Sequence, residues 1–175
     1  MGLPPQDALP QTKCVAAAIP STDTKGDHAM SLQDDVRYLL DRTEIQDKIV
    51  LYGLGQDMHQ PDAQDKNILE QWNELFTPDA QIDLTDVAGA VFNLRDYAEL
   101  MRGKGLKGGG LEVSFKAWNH LEGHGTVKIT GDTATSMSLH IHTHETRDGK
   151  ANLFDVGYWH DTWLRTVEGW RITWP

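Results

Sequence analysis

The sequence predicts an α+β domain in which a curved antiparallel sheet wraps over the helices that precede it. Apolar residues recur at helical spacing before the glycine-rich segment 103–110, and strand-like alternation dominates after it. Short turn sequences divide this second part into hairpins: Gly131-Asp132, Asp148-Gly149 and Glu168-Gly169. Helices followed by a run of strands are typical of α+β folds.

The first part of the chain contains the predicted helices. Ser31 is expected to cap a helix whose apolar residues share one face, namely Leu32, Val36, Leu39 and Leu40. Thr43 is expected to cap a second helix, with a core-facing stripe of Ile45, Ile49 and Tyr52. Gly53 and Gly55 weaken the end of that helix, so Asp57 need not keep the angle that ideal periodicity assigns it. The Gln60-Pro61-Asp62 sequence closes the helix.

Further elements follow in order. Residues 68–76 form another helical face, Gln81–Leu84 a short strand and residues 95–102 a short helix. The segment 103–110 is interpreted as a mobile connection, with a lid as the alternative. The strand-rich stretches are residues 111–129, 133–146, 153–165 and 170–174.

Length and composition limit the domain organisation. A chain of 175 residues suffices for one domain with one core and a ligand cavity. Residues 1–30 contain four prolines among polar residues and little apolar periodicity, which indicates a disordered leader. The folded domain is therefore expected at residues 31–175.

Charge and cysteine content indicate the partners and the compartment. A net charge of -10 argues against nucleic acid and anionic membranes, which attract basic faces, and favours a neutral or apolar small molecule. Cys14 is the single cysteine, which suits a reducing cytoplasm. No run has the length of a membrane span or of a secretory signal.

Several short motifs and their order resemble one family. The motifs are Arg42-Thr43-Glu44-Ile45-Gln46-Asp47 leading to Asp57, Phe76-Thr77-Pro78-Asp79-Ala80, His120 with Gly131-Asp132-Thr133-Ala134, and Glu168-Gly169-Trp170-Arg171-Ile172. Residues 31–174 thereby resemble the SnoaL-like branch of the nuclear transport factor 2-like superfamily. The resemblance implies a cone, in which helices close one side of a bent antiparallel sheet around a ligand cavity. It also implies a homodimer or higher oligomer, because such sheets commonly pack against another copy.

Asp57 and His120 form a candidate acid/base dyad. Their positions resemble the catalytic Asp-His pair of scytalone dehydratase and of hexachlorocyclohexane dehydrochlorinase. A carboxylate that binds one imidazole nitrogen fixes the tautomer and leaves the other nitrogen free to take a proton. Alone, Asp57 would be interpreted as an exposed helix-end carboxylate and His120 as a structural histidine.

The resemblance adds two further candidates. Tyr52 matches a position where related enzymes carry a tyrosine or lysine, so it is a proposed proton donor or oxyanion partner, with a role in the core as the alternative. Counting from the Gly131-Asp132 turn places His144 near a second histidine of scytalone dehydratase. The residue before Asp57 is Gln56 instead of that enzyme's tyrosine, so its substrate does not transfer.

The histidines of the strand 133–146 offer a competing metal hypothesis. His140, His142 and His144 alternate and should project from one face, and His-x-His spacing suits zinc. The preferred interpretation is a polar face directed to solvent or to a dimer partner, so neither a metal nor another cofactor is expected. That interpretation would turn His144 away from the cavity, which leaves its role open.

Aromatic residues complete the candidate pocket. Trp118 lies two residues from His120, so both side chains share one strand face and Trp118 is placed beside the substrate. Trp72 and Phe76 are expected on the opposite, helical wall.

The leading functional hypothesis is a cofactor-independent lyase, a dehydratase or related eliminating enzyme, acting on a small apolar cyclic or polyketide-like molecule. An isomerase or cyclase with the same base is the nearest alternative. A non-catalytic ligand-binding or dimerisation module and a metal enzyme also stay open, because fold alone does not fix function.

Overall fold

A computed structural model describes residues 31–65 and 67–174, and the predicted leader at 1–30 lies outside this range. The fold is α+β: four helices and a two-stranded sheet precede a curled five-stranded antiparallel sheet. The fold class predicted from the order of the elements is confirmed.

The first helix, α1, runs without a break over Leu32–Met58, where two helices were expected. Ser31 caps it as predicted, through a capping box with Asp34. Thr43 begins no second helix, because its hydroxyl donates to the carbonyl of Leu39 one turn earlier, at 2.8 Å. A threonine bonded in this way fits inside a helix, so the prediction of a second cap was wrong.

The apolar face predicted for the first turns of α1 does not enter the core. Its four members are exposed in the described structure, by 46–79%: Leu32, Val36, Leu39 and Leu40. Further along, a groove of about 630 Å³ follows the outer side of α1 between Leu40 and Leu54. The core-facing stripe predicted from Ile45, Ile49 and Tyr52 is confirmed, since all three side chains are buried.

The remaining helices are short and surround a small hairpin. They are α2 (Ile68–Leu75), α3 (Thr85–Ala88) and α4 (Leu94–Arg102). Strand β1 (Gln81–Leu84) pairs with β2 (Ala90–Asn93). α3 and β2 were not predicted, because four residues carry too little periodicity. The glycine-rich segment contains a 3-10 turn at Lys104–Leu106, and a second 3-10 turn follows it at Leu111–Ser114.

The main sheet consists of five antiparallel strands: β3 (Phe115–Glu122), β4 (Thr126–Thr130), β5 (Thr133–Thr146), β6 (Asn152–Thr166) and β7 (Gly169–Thr173). The order is β3-β5-β6-β7, and β4 also pairs with β5. The stretch 111–129 therefore holds two strands and not one. Strand β3 ends just before Gly123. The N–H of Gly123 donates to the carbonyl of Leu139, and the absence of a Cβ leaves room for the Leu139 side chain.

Two groups of buried apolar residues join the helices to the sheet. One joins α1, α2 and α4, and its members are Tyr52, Ile68, Trp72, Leu75, Phe76, Ala80, Ile82 and Ala98. The other lies between α1 and the far end of the sheet and comprises Ile45, Ile49, Ala134, Trp163 and Trp170. Each large side chain buried in this way contributes about 1.5–3 kcal/mol of transfer free energy.

A buried ion pair anchors α1 to this far end. The Asp41 carboxylate accepts from both terminal nitrogens of Arg165, at 2.6 and 2.7 Å, and from Nε1 of Trp170 at 3.2 Å. Asp41 is 8% exposed. Hydrogen bonding to Arg165 holds the pKa of Asp41 below its usual value.

Glycines let α1 approach its neighbours closely. A Cβ at Gly53 would lie 2.8 Å from Cγ of Glu122 and 3.3 Å from Cβ of His120, and one at Gly55 would overlap Gln71. α1 stays helical through both glycines and past Asp57. The two glycines were expected to weaken the end of α1. Instead, they let it pack closely against β3 and α2.

Within residues 31–65 and 67–174, no helix combines the length and the apolar character required to cross a membrane.

Arg165→Gln should lower the free energy of unfolding by about 2–3 kcal/mol at pH 7, because it leaves a poorly solvated Asp41 carboxylate without its partner. Since the folded-state pKa of Asp41 is lowered, its stabilisation is present above the unfolded value of 3.8 and is lost as the pH falls through the folded value. The difference between the free energies of unfolding of wild type and Arg165→Gln, measured by urea unfolding, should therefore become smaller below pH 4. The control Arg95→Gln, at an exposed pair with Glu99, should change stability by less than about 0.5 kcal/mol.

Gly53→Ala should destabilise the fold, although alanine is the better helix former by about 1 kcal/mol. The added methyl group meets Glu122 and His120, and such overpacking costs about 1–3 kcal/mol. The matched control is Gly157→Ala, whose Cβ would meet no described atom within 4 Å. Thermal unfolding in which Gly53→Ala is more stable than wild type would contradict the close contact between α1 and β3.

Candidate functional site

Asp57 and His120 are in contact, as predicted. The last turn of α1 places Asp57 against β3, where Oδ1 lies 2.8 Å from Nδ1 of His120. The carboxylate also accepts from the backbone N–H of His120, at 3.0 and 3.1 Å. The aspartate thus fixes both the strand and the ring. With the proton on Nδ1, the lone pair of Nε2 is free to accept another.

Burial keeps this imidazole neutral. The His120 side chain is 9% exposed and that of Asp57 is 20% exposed. Desolvation, with smaller contributions from His142 and His140, lowers the pKa of His120 to about 4 against the opposing effect of Asp57. His120 is therefore an unprotonated base at neutral pH, and Asp57 is placed to stabilise the imidazolium that proton uptake would form.

The register of the sheet brings the other histidines to the same face. His142 pairs with His120 across β3 and β5, and His140 and His144 pair with Glu122 and Trp118. Directly paired residues share a sheet face. The expectation that these histidines face solvent or a dimer partner is wrong, because His140 is 8% and His144 7% exposed and their rings lie beside the dyad.

The histidines and flanking carboxylates form a continuous chain of contacts. Glu122 Oε1 lies 2.7 Å from Nδ1 of His140, whose Nε2 lies 2.9 Å from Nδ1 of His142. Nε2 of His142 lies 3.0 Å from Oδ2 of Asp155. Burial lowers the pKa of His142, and neighbouring His140 lowers it further.

His144 lies on the dyad face, which resolves the conflict between its two sequence interpretations in favour of an inward side chain. Its ring centroid is 4.4 Å from that of Phe115, 6.0 Å from Trp118 and 6.3 Å from His120. Burial lowers its pKa. Nδ1 is buried and has no hydrogen-bond partner in the described structure. The side chain is therefore neutral and has one nitrogen available to a ligand.

Tyr52 lies between the helical core and the histidines. Its ring centroid is 6.4 Å from His140 and 5.9 Å from Trp159. The hydroxyl accepts from Nε2 of Gln56 at 3.4 Å and is hydrogen-bonded to Tyr97. Burial raises the pKa of both tyrosines, so each keeps its proton and can act as a hydrogen-bond donor.

Trp118 is held by a buried polar network that sequence reasoning missed. Its Nε1 donates to the carbonyl of Gln56 at 2.8 Å, and Oε1 of Gln56 accepts from Arg102 at 2.9 Å. The Arg102 guanidinium is fully buried and stacks 4.5 Å from the centre of the Trp118 ring. Nothing in the sequence distinguishes Arg102 from an ordinary basic residue at a helix end.

Trp72 and Phe76 lie on the helical side, as expected. Both pack on Tyr52, with ring centroids 6.4 and 6.3 Å away. They are 1% and 6% exposed, so they support Tyr52 from behind. Their contact with a substrate, like that of Trp118, stays a prediction.

Space beside the histidines opens next to Gly157. This glycine pairs with His140 across β5 and β6, and a Cβ on it would meet no described atom within 4 Å. A larger residue there would project from the histidine face. The groove on the outer side of α1 shares none of these residues and does not contact the dyad.

The residues outside the sequence prediction are Glu122, Tyr97, Arg102, Asp155 and Trp159. Glu122 and Asp155 are identified only by their contacts with histidines, Glu122 with His140 and Asp155 with His142. Among residues 31–65 and 67–174, two groups of side chains have the spacing to hold a metal ion: His120 with His140 and His142, and His142 with His144 and Asp155.

Known proteins of related sequence support one family. The model of the SnoaL-like domain matches residues 37–174. The uncharacterized protein Rv2910c of Mycobacterium tuberculosis is 28% identical over 141 residues, which cover 78% of this chain and 84% of the relative.

Solved structures show the same fold. A nuclear transport factor 2-like protein with a cystatin-like fold from Novosphingobium aromaticivorans aligns with a TM-score of 0.61 and 27% identity, over 81% of this chain and 83% of the other. Hexachlorocyclohexane dehydrochlorinase from Novosphingobium barchaimii aligns with a TM-score of 0.60 and 12% identity, over 79% and 86%. At that identity the second likeness concerns the fold alone. The curled sheet, the helices that cover it and the family match together establish that this chain belongs to the SnoaL-like domain family.

Proposed function

We propose that the protein is a cofactor-independent lyase that eliminates water or a similar leaving group from a small, largely apolar cyclic or polyketide-like molecule. The observation that carries this proposal is the 2.8 Å contact between Asp57 and the Nδ1 of His120. A protein of the same fold is named as a dehydrochlorinase, so this fold can host an elimination.

His120 is the base in this proposal. Its Nε2 takes a proton from a substrate carbon, and the electrons of that C–H bond form a carbon–carbon double bond as the leaving group departs. Asp57 keeps Nδ1 protonated and stabilises the imidazolium, a charge that forms where bulk water is largely excluded.

Two neighbours are assigned to the oxygen atoms of the substrate. The neutral Tyr52 hydroxyl binds a carbonyl or departing oxygen, and Tyr97 supports it through their hydrogen bond. His144, which is neutral, donates a hydrogen bond to the leaving group from its inward position, and the His120 imidazolium returns the proton to that group. Trp118 covers the apolar part of the substrate, because it shares the strand face of His120.

Isomerisation or cyclisation is the second candidate, favoured by the pair of buried tyrosines. Hydroxyls that keep their protons can hold an enolate oxygen, and an enolate formed by His120 can be protonated at another carbon without loss of a group. The two reactions share the base and differ in their product.

His120→Ala should lower turnover by roughly 100- to 10,000-fold, the usual contribution of a general base. Asp57→Asn should also be strongly impaired, because an amide no longer favours the reactive tautomer. The assay is proton NMR in D₂O on a panel of small cyclic ketones with a β-hydroxyl or β-halogen group. A new alkene signal reports elimination, and deuterium uptake without an alkene reports isomerase-type chemistry.

The matched control is His124→Ala, an exposed histidine just after β3, which should keep full activity. Equal activity of wild type and His120→Ala on a confirmed substrate would refute the base assignment. Ligand binding without turnover by wild type would favour a binding module instead.

We also propose that the protein is a homodimer that pairs through the outer face of its main sheet. The face opposite the histidines carries apolar side chains: Leu121, Met137, Phe154, Val156 and Tyr158 are exposed, and Leu139 and Ile141 between them are half-buried. Phe154 and Tyr158 are 64% and 62% exposed. Apolar patches of this kind mark protein contacts more often than free surface.

Val156→Lys should convert the dimer to a monomer, because a lysine at the centre of the face would have to be desolvated on pairing. Light scattering coupled to size exclusion measures the mass. Val87→Lys, which changes an 80% exposed valine on α3, is the control and should leave the dimer intact. A monomeric wild-type protein at high micromolar concentration would contradict this interface.

A further inference from the structure

Three imidazoles on two strands present nitrogens to a common point. One ring nitrogen from each of His120, His140 and His142 lies within 4.8 Å of the other two. The His140 Nε2 and His142 Nδ1 atoms are already 2.9 Å apart. Tetrahedral zinc with bonds of 2.0–2.1 Å needs nitrogens about 3.3 Å apart, so small side-chain rotations suffice.

Each of these histidines is also held by a carboxylate at its other nitrogen. Asp57 lies 2.8 Å from Nδ1 of His120, and Glu122 lies 2.7 Å from Nδ1 of His140. Asp155 lies 3.0 Å from Nε2 of His142. A carboxylate behind each imidazole fixes the tautomer and makes the free nitrogen a better donor, which is the usual arrangement around metal-bound histidine.

The charge balance of the cluster favours a cation. The Glu122 side chain is 1% exposed, and its Oε2 has no hydrogen-bond partner in the described part of the chain. Three carboxylates therefore surround three imidazoles, while the nearby cation Arg102 is directed to Gln56 and Glu112. A buried carboxylate needs a compensating charge, and a divalent ion supplies one at the centre of the cluster.

The cluster also leaves room for a further ligand. Gly157 pairs with His140 and contributes no side chain to this face. Three nitrogen ligands and an open fourth position are typical of reactive zinc sites.

We propose that His120, His140 and His142 bind one divalent metal ion of the zinc class, through Nε2 of His120, Nε2 of His140 and Nδ1 of His142. The other spatial group, His142 with His144 and Asp155, is the weaker site. There Asp155 is 62% exposed, and Nδ1 of the buried His144 has no hydrogen-bond partner in the described structure.

This site goes beyond the proposed elimination and shares His120 with it, so its expected effect on turnover rests on the proposed function. A metal on Nε2 of His120 occupies the lone pair that would take the substrate proton. The metal-loaded protein therefore cannot use His120 as a base. The fraction of elimination activity that zinc inhibits should equal the fraction of sites that zinc occupies.

The test is titration of the chelator-treated full chain with Co²⁺, followed by displacement with Zn²⁺. We expect one Co²⁺ per chain with visible ligand-field bands, and zinc-dependent shifts of three histidine ring nitrogens in ¹⁵N NMR spectra. His140→Ala and His142→Ala should each weaken binding by at least about 100-fold, and Glu122→Gln by about 10- to 100-fold. His124→Ala and His160→Ala, at exposed histidines, should bind as wild type does.

Circular dichroism of each variant identifies any that fails to fold, in which case the ¹⁵N shifts of the wild type decide. Failure to bind Co²⁺ at millimolar concentration, or binding retained in both His140→Ala and His142→Ala, would overturn the site. Loss of binding in His144→Ala but not in His120→Ala would overturn this ligand set. Because these measurements need no substrate, a failed elimination assay leaves their result unchanged.

Discussion

The close packing of α1 on the concave side of the sheet is the constraint on which the site depends. Two carboxylates fix the helix: the buried Asp41 binds Arg165 and Trp170, and the half-buried Asp57 binds His120. Between them, Gly53 removes the side chain that would otherwise separate helix and strand. The position of the dyad is therefore set by the same contacts that hold the fold, and not by a mobile loop.

The polar interior of this sheet requires compensation for each charge that it buries. At one end, Asp41 has a cationic partner, which keeps its carboxylate ionised. In the histidine cluster the partner of the buried Glu122 is an imidazole, and burial favours the neutral form of His120 and His142. Such a site gains from any process that brings in positive charge, whether a proton taken from a substrate or a metal ion.

These two ways of adding positive charge compete for one atom. Elimination needs the free lone pair of His120 Nε2, and metal binding occupies it. Tyr52 and Trp118 keep their own supports in either case, because Tyr52 packs on Trp72 and Trp118 donates to Gln56, although the Tyr52 ring also lies beside His140. Availability of metal would thus determine whether the dyad is active, with no change in the fold.

The sequence by itself determined the α+β class, the Ser31 cap and most of the strands, because periodicity and turn residues are local signals. Its family resemblance directed attention to Asp57 and His120, whose contact the structure shows. The sequence misjudged Thr43, where a hydroxyl bond to Leu39 keeps one helix continuous. It could not orient the histidines of β5, since period-2 alternation shows that they share a face without showing which face is buried. Pairing with β3 and coverage by α1 decided that, and they brought Arg102 and Glu122 to the site from positions that carry no sequence signal.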